Sequence, residues 1–138
     1  MSKLIPRTQR MAHAAHAAVE ARKSYAQTKE YGSLALSLPA MILKNGLAQA
    51  TGFLLAKGAG KNESAHLALL DDLAAVLRAT VGAPAKTGSE LHQHIIGADL
   101  GRSMVLTREA LAVSGWLKRY AQGVLKAGLP DKEEGSPA

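Results

Sequence analysis

His13 and His16 stand three residues apart in "MAHAAHAA", a spacing that sets two imidazoles on one face of a helix. Metal binding would need further His, Cys, Asp or Glu ligands on that face. No carboxylate pattern is expected to complete a metal site there, and the chain has no cysteine. His92 and His94 are two apart, which turns them away from each other on a helix. The adjacent Asp71 and Asp72 diverge in the same way, so capping or surface charge is the expected role rather than paired acid–base work. No Ser or Thr lies in a nucleophile elbow. Gly60-Lys61 in "KGAGKN" hints at a phosphate loop, but Leu55 stands at the first glycine position and Asn62 where Ser or Thr should hold a metal. The expectation is a chain with no catalytic residues, no metal site and no cofactor.

The basic residues give a stronger lead. The net charge of +6 is unevenly placed. Residues 1–61 carry nine Lys/Arg against two Glu, and residues 62–99 carry two against five acids. Residues 100–128 carry five against one, and the tail from 129 carries one against three. Two basic segments flanking an acidic one suit a polyanionic partner. On the last segment Lys118, Arg119 and Lys126 accompany Trp116, and Lys44 with Asn45 interrupts an otherwise apolar run. Lys44, Asn45, Lys118, Arg119 and Lys126 are therefore the candidates for contact with a polyanion, with Arg10, Arg22 and Lys23 as further ones. Trp116 lies one position off the apolar stripe of its helix and is a candidate subunit contact.

The elements that must position these residues read as helices throughout. Ala and Leu dominate the apolar residues, with one Phe, one Trp and three Tyr. Such a composition favours closely packed helices over sheets. From Pro6 to about Tyr31 nothing breaks a helix, and Gly32-Ser33 permits a turn. Pro39 suits a helix start or a kink better than an interior. Leu38, Ile42, Leu43, Leu47, Ala50, Phe53 and Leu54 are spaced for a buried face, with Asn45-Gly46 as the weak point between two helices. Asn62 or Ser64 caps the next helix, whose stripe is Leu67, Leu70, Leu73, Ala74, Leu77 and Val81, closed by Gly82. Thr87 and Glu90 have capping-box spacing before Leu91 and Ile95. Asp99 caps a last long helix carrying Leu106, Ala110, Val113, Leu117, Tyr120 and Val124, ended by Gly128 and Pro130. The expected architecture is all-α: a compact single-domain bundle of about five to six helices over residues 1–128, with a polar, disordered tail at 129–138.

The apolar run at 38–56 does not read as a membrane span. A Lys at the centre of a span costs about 3 kcal/mol, and Asn45 and Gln49 add to that. With no signal-peptide pattern at the start either, the expected location is cytoplasmic.

In combination, "YGSLALSLPAMILKNGLAQATGFLLAKG" (31–58) and "REALAVSGWLKRYAQGVL" (108–125) resemble the two signature stretches of one family. That family is the small helical subunit of the type III-B CRISPR effector, the Cmr complex. The resemblance rests on Leu38-Pro39, Ile42, Asn45-Gly46-Leu47, Gln49 and Phe53, then on Ala110-Leu111 and Trp116-Leu117-Lys118-Arg119. It implies a helical, non-catalytic protein of antiviral defence. Copies would stack into a short filament beside the backbone subunits and help line the channel for guide and target RNA, which would make Lys44, Asn45, Lys118, Arg119 and Lys126, with Arg10, Arg22 and Lys23, candidates for RNA contact. Partners would then be other Cmr subunits, copies of itself, and both RNAs. An acidic patch of one copy meeting a basic patch of the next would give a contact that extends rather than closes. A free-standing helical nucleic-acid binder is the alternative.

Overall fold

A computed structural model of the chain describes residues 4–61 and 64–129. Six helices follow in order: α1 (Arg7–Glu20), α2 (Thr28–Asn45), α3 (Leu47–Gly58), α4 (Ala65–Val81), α5 (Gly88–Ile96) and α6 (Leu100–Gly123). Among the described residues no strand is present, in keeping with the all-α expectation. The expected tail lies, beyond Leu129, outside the described residues, as does Asn62.

The chain organises around α4, which packs against each of the other five helices. Its sequence explains that position. Ala65, Ala68, Leu69, Leu70, Leu73, Ala74, Val76 and Leu77 are all buried, an apolar surface too broad for one stripe. Small Ala side chains let neighbours approach, and the Leu side chains fill the gaps between them. Around α4 the core is completed by Met11, Ala15 and Val19 from α1, Leu38 and Ile42 from α2, and Leu54 from α3. Leu91 comes from α5, and Leu106, Val113 and Leu117 from α6.

Three helix starts are set by side chains that accept an otherwise unpaired amide. Ser64 Oγ accepts from Leu67 N, Thr87 Oγ1 from Glu90 N, and Asp99 Oδ1 from Arg102 N. Glu90 reaches back one residue further than in the usual capping box, its Oε1 accepting from Lys86 N at 2.8 Å. Gly82, at φ +69, ends α4 in the left-handed conformation that glycine adopts without penalty.

The first third of the chain departs from the sequence expectation. Residues 21–27 hold no Gly or Pro, yet the helix stops at Glu20. Amides there bond three residues back instead of four: Arg22 N to Val19 O, Lys23 N to Glu20 O, Tyr25 N to Arg22 O. This tightened turn delivers both Arg22 and Tyr31 to Asp72 of α4. Gly32 is not a turn but a buried helical residue. A Cβ there would lie 2.9 Å from Ala127 Cβ, so its absence lets the start of α2 approach the segment after α6. Pro39 lies inside α2, where it removes one helical hydrogen bond, and the buried Leu38 and Ile42 flank it. Leu43 and Phe53, expected in the core, are instead exposed, at 73% and 40%. Each directly adjoins a buried residue, Ile42 and Leu54, and successive helical positions point about 100° apart.

Candidate nucleic-acid interface

Asp72 shows how the fold uses its acids. The side chain is buried, which corrects the expectation of surface charge or capping. Its Oδ2 accepts from Arg22 Nε at 2.9 Å and from the Tyr31 hydroxyl at 2.5 Å, and its Oδ1 accepts from Arg22 Nη2 at 2.9 Å. Arg22 also donates to Ala68 O, and its guanidinium lies over the rings of Tyr25 and Tyr31. Burial pushes the Tyr31 phenol well above its ordinary range, with the Asp72 charge and hydrogen bond adding to the effect. The hydrogen bond to Asp72 likewise raises the Arg22 pKa. Arg22, a candidate for RNA contact, thus commits its guanidinium within the fold.

Several other acids are engaged in similar ways. Asp71 Oδ1 accepts from Gly88 N at 2.7 Å, tying the α5 start to α4. Glu109, buried on α6, pairs with Arg7 of α1 and has Arg108 Nε 4.0 Å away. Glu20 pairs with Lys23 at 3.0 Å and faces His16 at 3.5 Å.

Several candidate residues remain exposed without a carboxylate partner among the described residues: Arg10, Lys44, Lys118, Arg119 and Lys126. The fold does not gather them into one pocket. Because the start of α2 meets the segment after α6, Lys126 and Lys44 lie toward opposite ends of the α2–α6 pair, the broadest helix contact in the molecule. The helical stretch from Gly32 to Lys44 rises about 18 Å. Lys126 adopts a left-handed backbone at φ 59, unusual for a non-glycine residue. Arg10 stands apart on α1, in a groove with Ile5, Gln9, His13, Ala14 and Ala79.

Trp116 is half-buried against the core. Its ring stacks on Tyr120 at 5.8 Å and 19°, and the Arg119 guanidinium lies 5.2 Å from its centroid. Tyr120 in turn meets His16 of α1 edge-on at 5.0 Å. Lys118, two positions from Trp116, points about 200° away around the helix, so the two serve different faces.

His92 Nδ1 lies 2.8 Å from Thr51 Oγ1, whose hydroxyl also reaches Leu47 O at 3.0 Å. Among the described residues no group of three or more His, Cys, Asp or Glu is placed to hold a metal. Likewise no helix is long and apolar enough to cross a membrane.

Two surface features went unnoticed in the sequence. Met41, Asn45, Gln49 and Phe53 line a recess of about 360 Å³ where α2 meets α3. Ile96, Leu100 and Met104 are exposed apolar residues at four-residue spacing across the α5–α6 junction. Angular bookkeeping along each helix, rather than a count of apolar residues, would have flagged both.

A family model described as CRISPR-associated protein (Cas_Cmr5) matches residues 7–124. The CRISPR system Cmr subunit Cmr5 of Thermus thermophilus is 37% identical over 97 residues, 70% of this chain and 76% of that one. The crystal structure of a CRISPR-associated Cmr5 family protein, also from Thermus thermophilus, superposes with a TM-score of 0.76 at 33% identity. The match covers 88% of this chain and 99% of that one.

Proposed function

The chain belongs to the Cmr5 family of CRISPR-associated proteins, and on that footing we propose that it is the non-catalytic small subunit of a cytoplasmic type III-B ribonucleoprotein. In the Cmr complex it stacks with copies of itself beside the backbone subunits. There it helps line the channel for guide and target RNA in antiviral defence. Sequence choice belongs to base pairing between the strands, which leaves the protein to hold phosphates.

One observation carries this reading: the disposition of charge. Asp72 and Glu109 are buried and ion-paired, and the exposed Asp71, Glu90 and Asp99 each accept a backbone amide, whereas Lys44, Lys118, Arg119 and Lys126 face solvent without an acidic partner among the described residues. The protein thus presents these four cations outward and turns much of its anionic charge to structural use. This favours a polyanion and weakens the idea of an acidic patch docking on the next copy. Ile96, Leu100 and Met104 offer a better stacking surface, because apolar area gives association energy that buried charge seldom does. Trp116, half-buried twelve residues further along α6 than Met104, remains a separate candidate for a subunit contact.

The test is the simultaneous replacement of Lys44, Lys118, Arg119 and Lys126 by Ala in the assembled complex. Target capture weakens, and the log–log salt slope falls by about 0.7 for each phosphate contact removed from a single strand. Normal capture would make the four residues bystanders. Failed assembly before target is added would turn the basic surface toward protein instead.

A further inference from the structure

The recess at the α2–α3 junction is built from an uncommon set of groups. Phe53, the only Phe of the chain, is 40% exposed and held edge-on by the buried His66, with ring centroids 5.9 Å apart and planes at 68°. Beside it lie the solvent-exposed carboxamides of Asn45 and Gln49, neither hydrogen-bonded to another group among the described residues. Gly46, at φ +89, bends the chain between them, with only open space where a Cβ would be. A second recess of about 460 Å³ shares Gln49 and Phe53 and is also lined by Ala48 and Gly52. Both volumes lie in the range of ligand clefts, about 300–1,000 Å³.

The chemistry of the lining narrows the occupant. An exposed aromatic ring supplies a stacking face, and a carboxamide presents both a donor and an acceptor, as the edge of a nucleobase does. Electrostatics points the same way. From Tyr31 to Asn62 the sequence contains Lys44, Lys57 and Lys61 and no Asp or Glu at all. Lys44 adjoins Asn45 and is exposed. A purely apolar partner would leave the two carboxamides buried and unpaired, at about 1–3 kcal/mol each. An unpaired base satisfies them.

We infer that this recess is a nucleobase pocket for an unpaired base of a single-stranded RNA. The base stacks on Phe53, its edge meets Asn45 and Gln49, and Lys44 takes a neighbouring phosphate. The inference deepens the proposed RNA role of this subunit and rests on it. Because carboxamides can rotate to offer either group, the pocket accepts any base and reads little sequence.

Ultraviolet cross-linking of the assembled complex, loaded with guide and target RNA, tests this. Trypsin cuts after Lys44 and Lys57, so Asn45, Gln49 and Phe53 share one peptide. The expected result is an RNA adduct on that peptide, lost in Phe53→Leu and kept in Phe53→Tyr. Loss of one stacked base also weakens capture of the target about 5- to 150-fold in Phe53→Leu. Its salt slope stays unchanged, since a base contact releases no counterions. Circular dichroism confirms that each variant is folded. Adducts confined to other peptides of this chain would overturn the pocket while leaving the RNA role standing. Loss of subunits from the Phe53→Leu complex, with wild-type adducts absent from the 45–57 peptide, would also overturn it and make the face a protein contact. Adducts on no peptide of this chain would overturn the RNA role and the pocket together.

Discussion

Replacing Arg22 by Ala leaves the Asp72 carboxylate buried with the Tyr31 hydroxyl as its remaining side-chain partner. Removing one member of a fully buried pair costs about 3–5 kcal/mol. The Arg22 side chain is 23% exposed and that of Asp72 11%, so water reaches the vacated carboxylate in part and the expected loss is about 2–3 kcal/mol. For a chain of this size that lowers Tm by about 6–10 °C. Urea denaturation followed by circular dichroism measures it. A double-mutant cycle with Asp72→Asn isolates the pair. Once the charge on position 72 is gone, Arg22→Ala should cost much less, giving a coupling of about 1.5 kcal/mol or more. A loss below about 0.5 kcal/mol for Arg22→Ala alone would refute the reasoning, as would strictly additive effects. Arg22 would then be free to serve RNA after all.

Tyr31 supplies a pH signature of the same cluster. Its folded pKa lies above the unfolded value of 10.0, so its contribution to stability is complete below pH 10.0 and declines above it. The slope is about 1.4 kcal/mol per pH unit, and Tyr31→Phe should remove that part of the alkaline loss in denaturation curves taken across this range. Gly32→Val should destabilise the fold by about 1–3 kcal/mol, read as a lower urea midpoint, because even a Cβ at that position meets Ala127 at 2.9 Å. Asp99→Ala should lower stability by about 1 kcal/mol in the same assay through loss of the α6 cap.

What could be read from the sequence was the local chemistry of helix ends and the broad apolar stripes. Ser64, Thr87 and Asp99 cap as expected, Gly82 closes α4, and Asn45-Gly46 divides two helices. These features depend on a few neighbouring residues, so local rules suffice. The misplaced features depend on partners far along the chain. The break after Glu20 serves Asp72, fifty residues beyond Arg22. Gly32 looked like a turn because its reason, Ala127, lies at the other end of the sequence. Asp72 looked solvated because Arg22 and Tyr31 were not yet beside it. Lys44, Lys118 and Lys126 were legible as outward-facing cations, since each falls between apolar positions of its segment. Phe53 was not, because the apolar character of the run around it masked the angle at which it leaves the helix.

The central claim is membership in an RNA-loaded assembly, and purification of the tagged full-length chain from its native cells tests it most directly. Mass spectrometry and RNA sequencing of the eluate should return the other Cmr subunits together with guide RNA, with more than one copy of this chain per assembly. Recovery of the chain free of those subunits, alone or on nucleic acid that is not guide RNA, would contradict the account and favour a free-standing nucleic-acid binder.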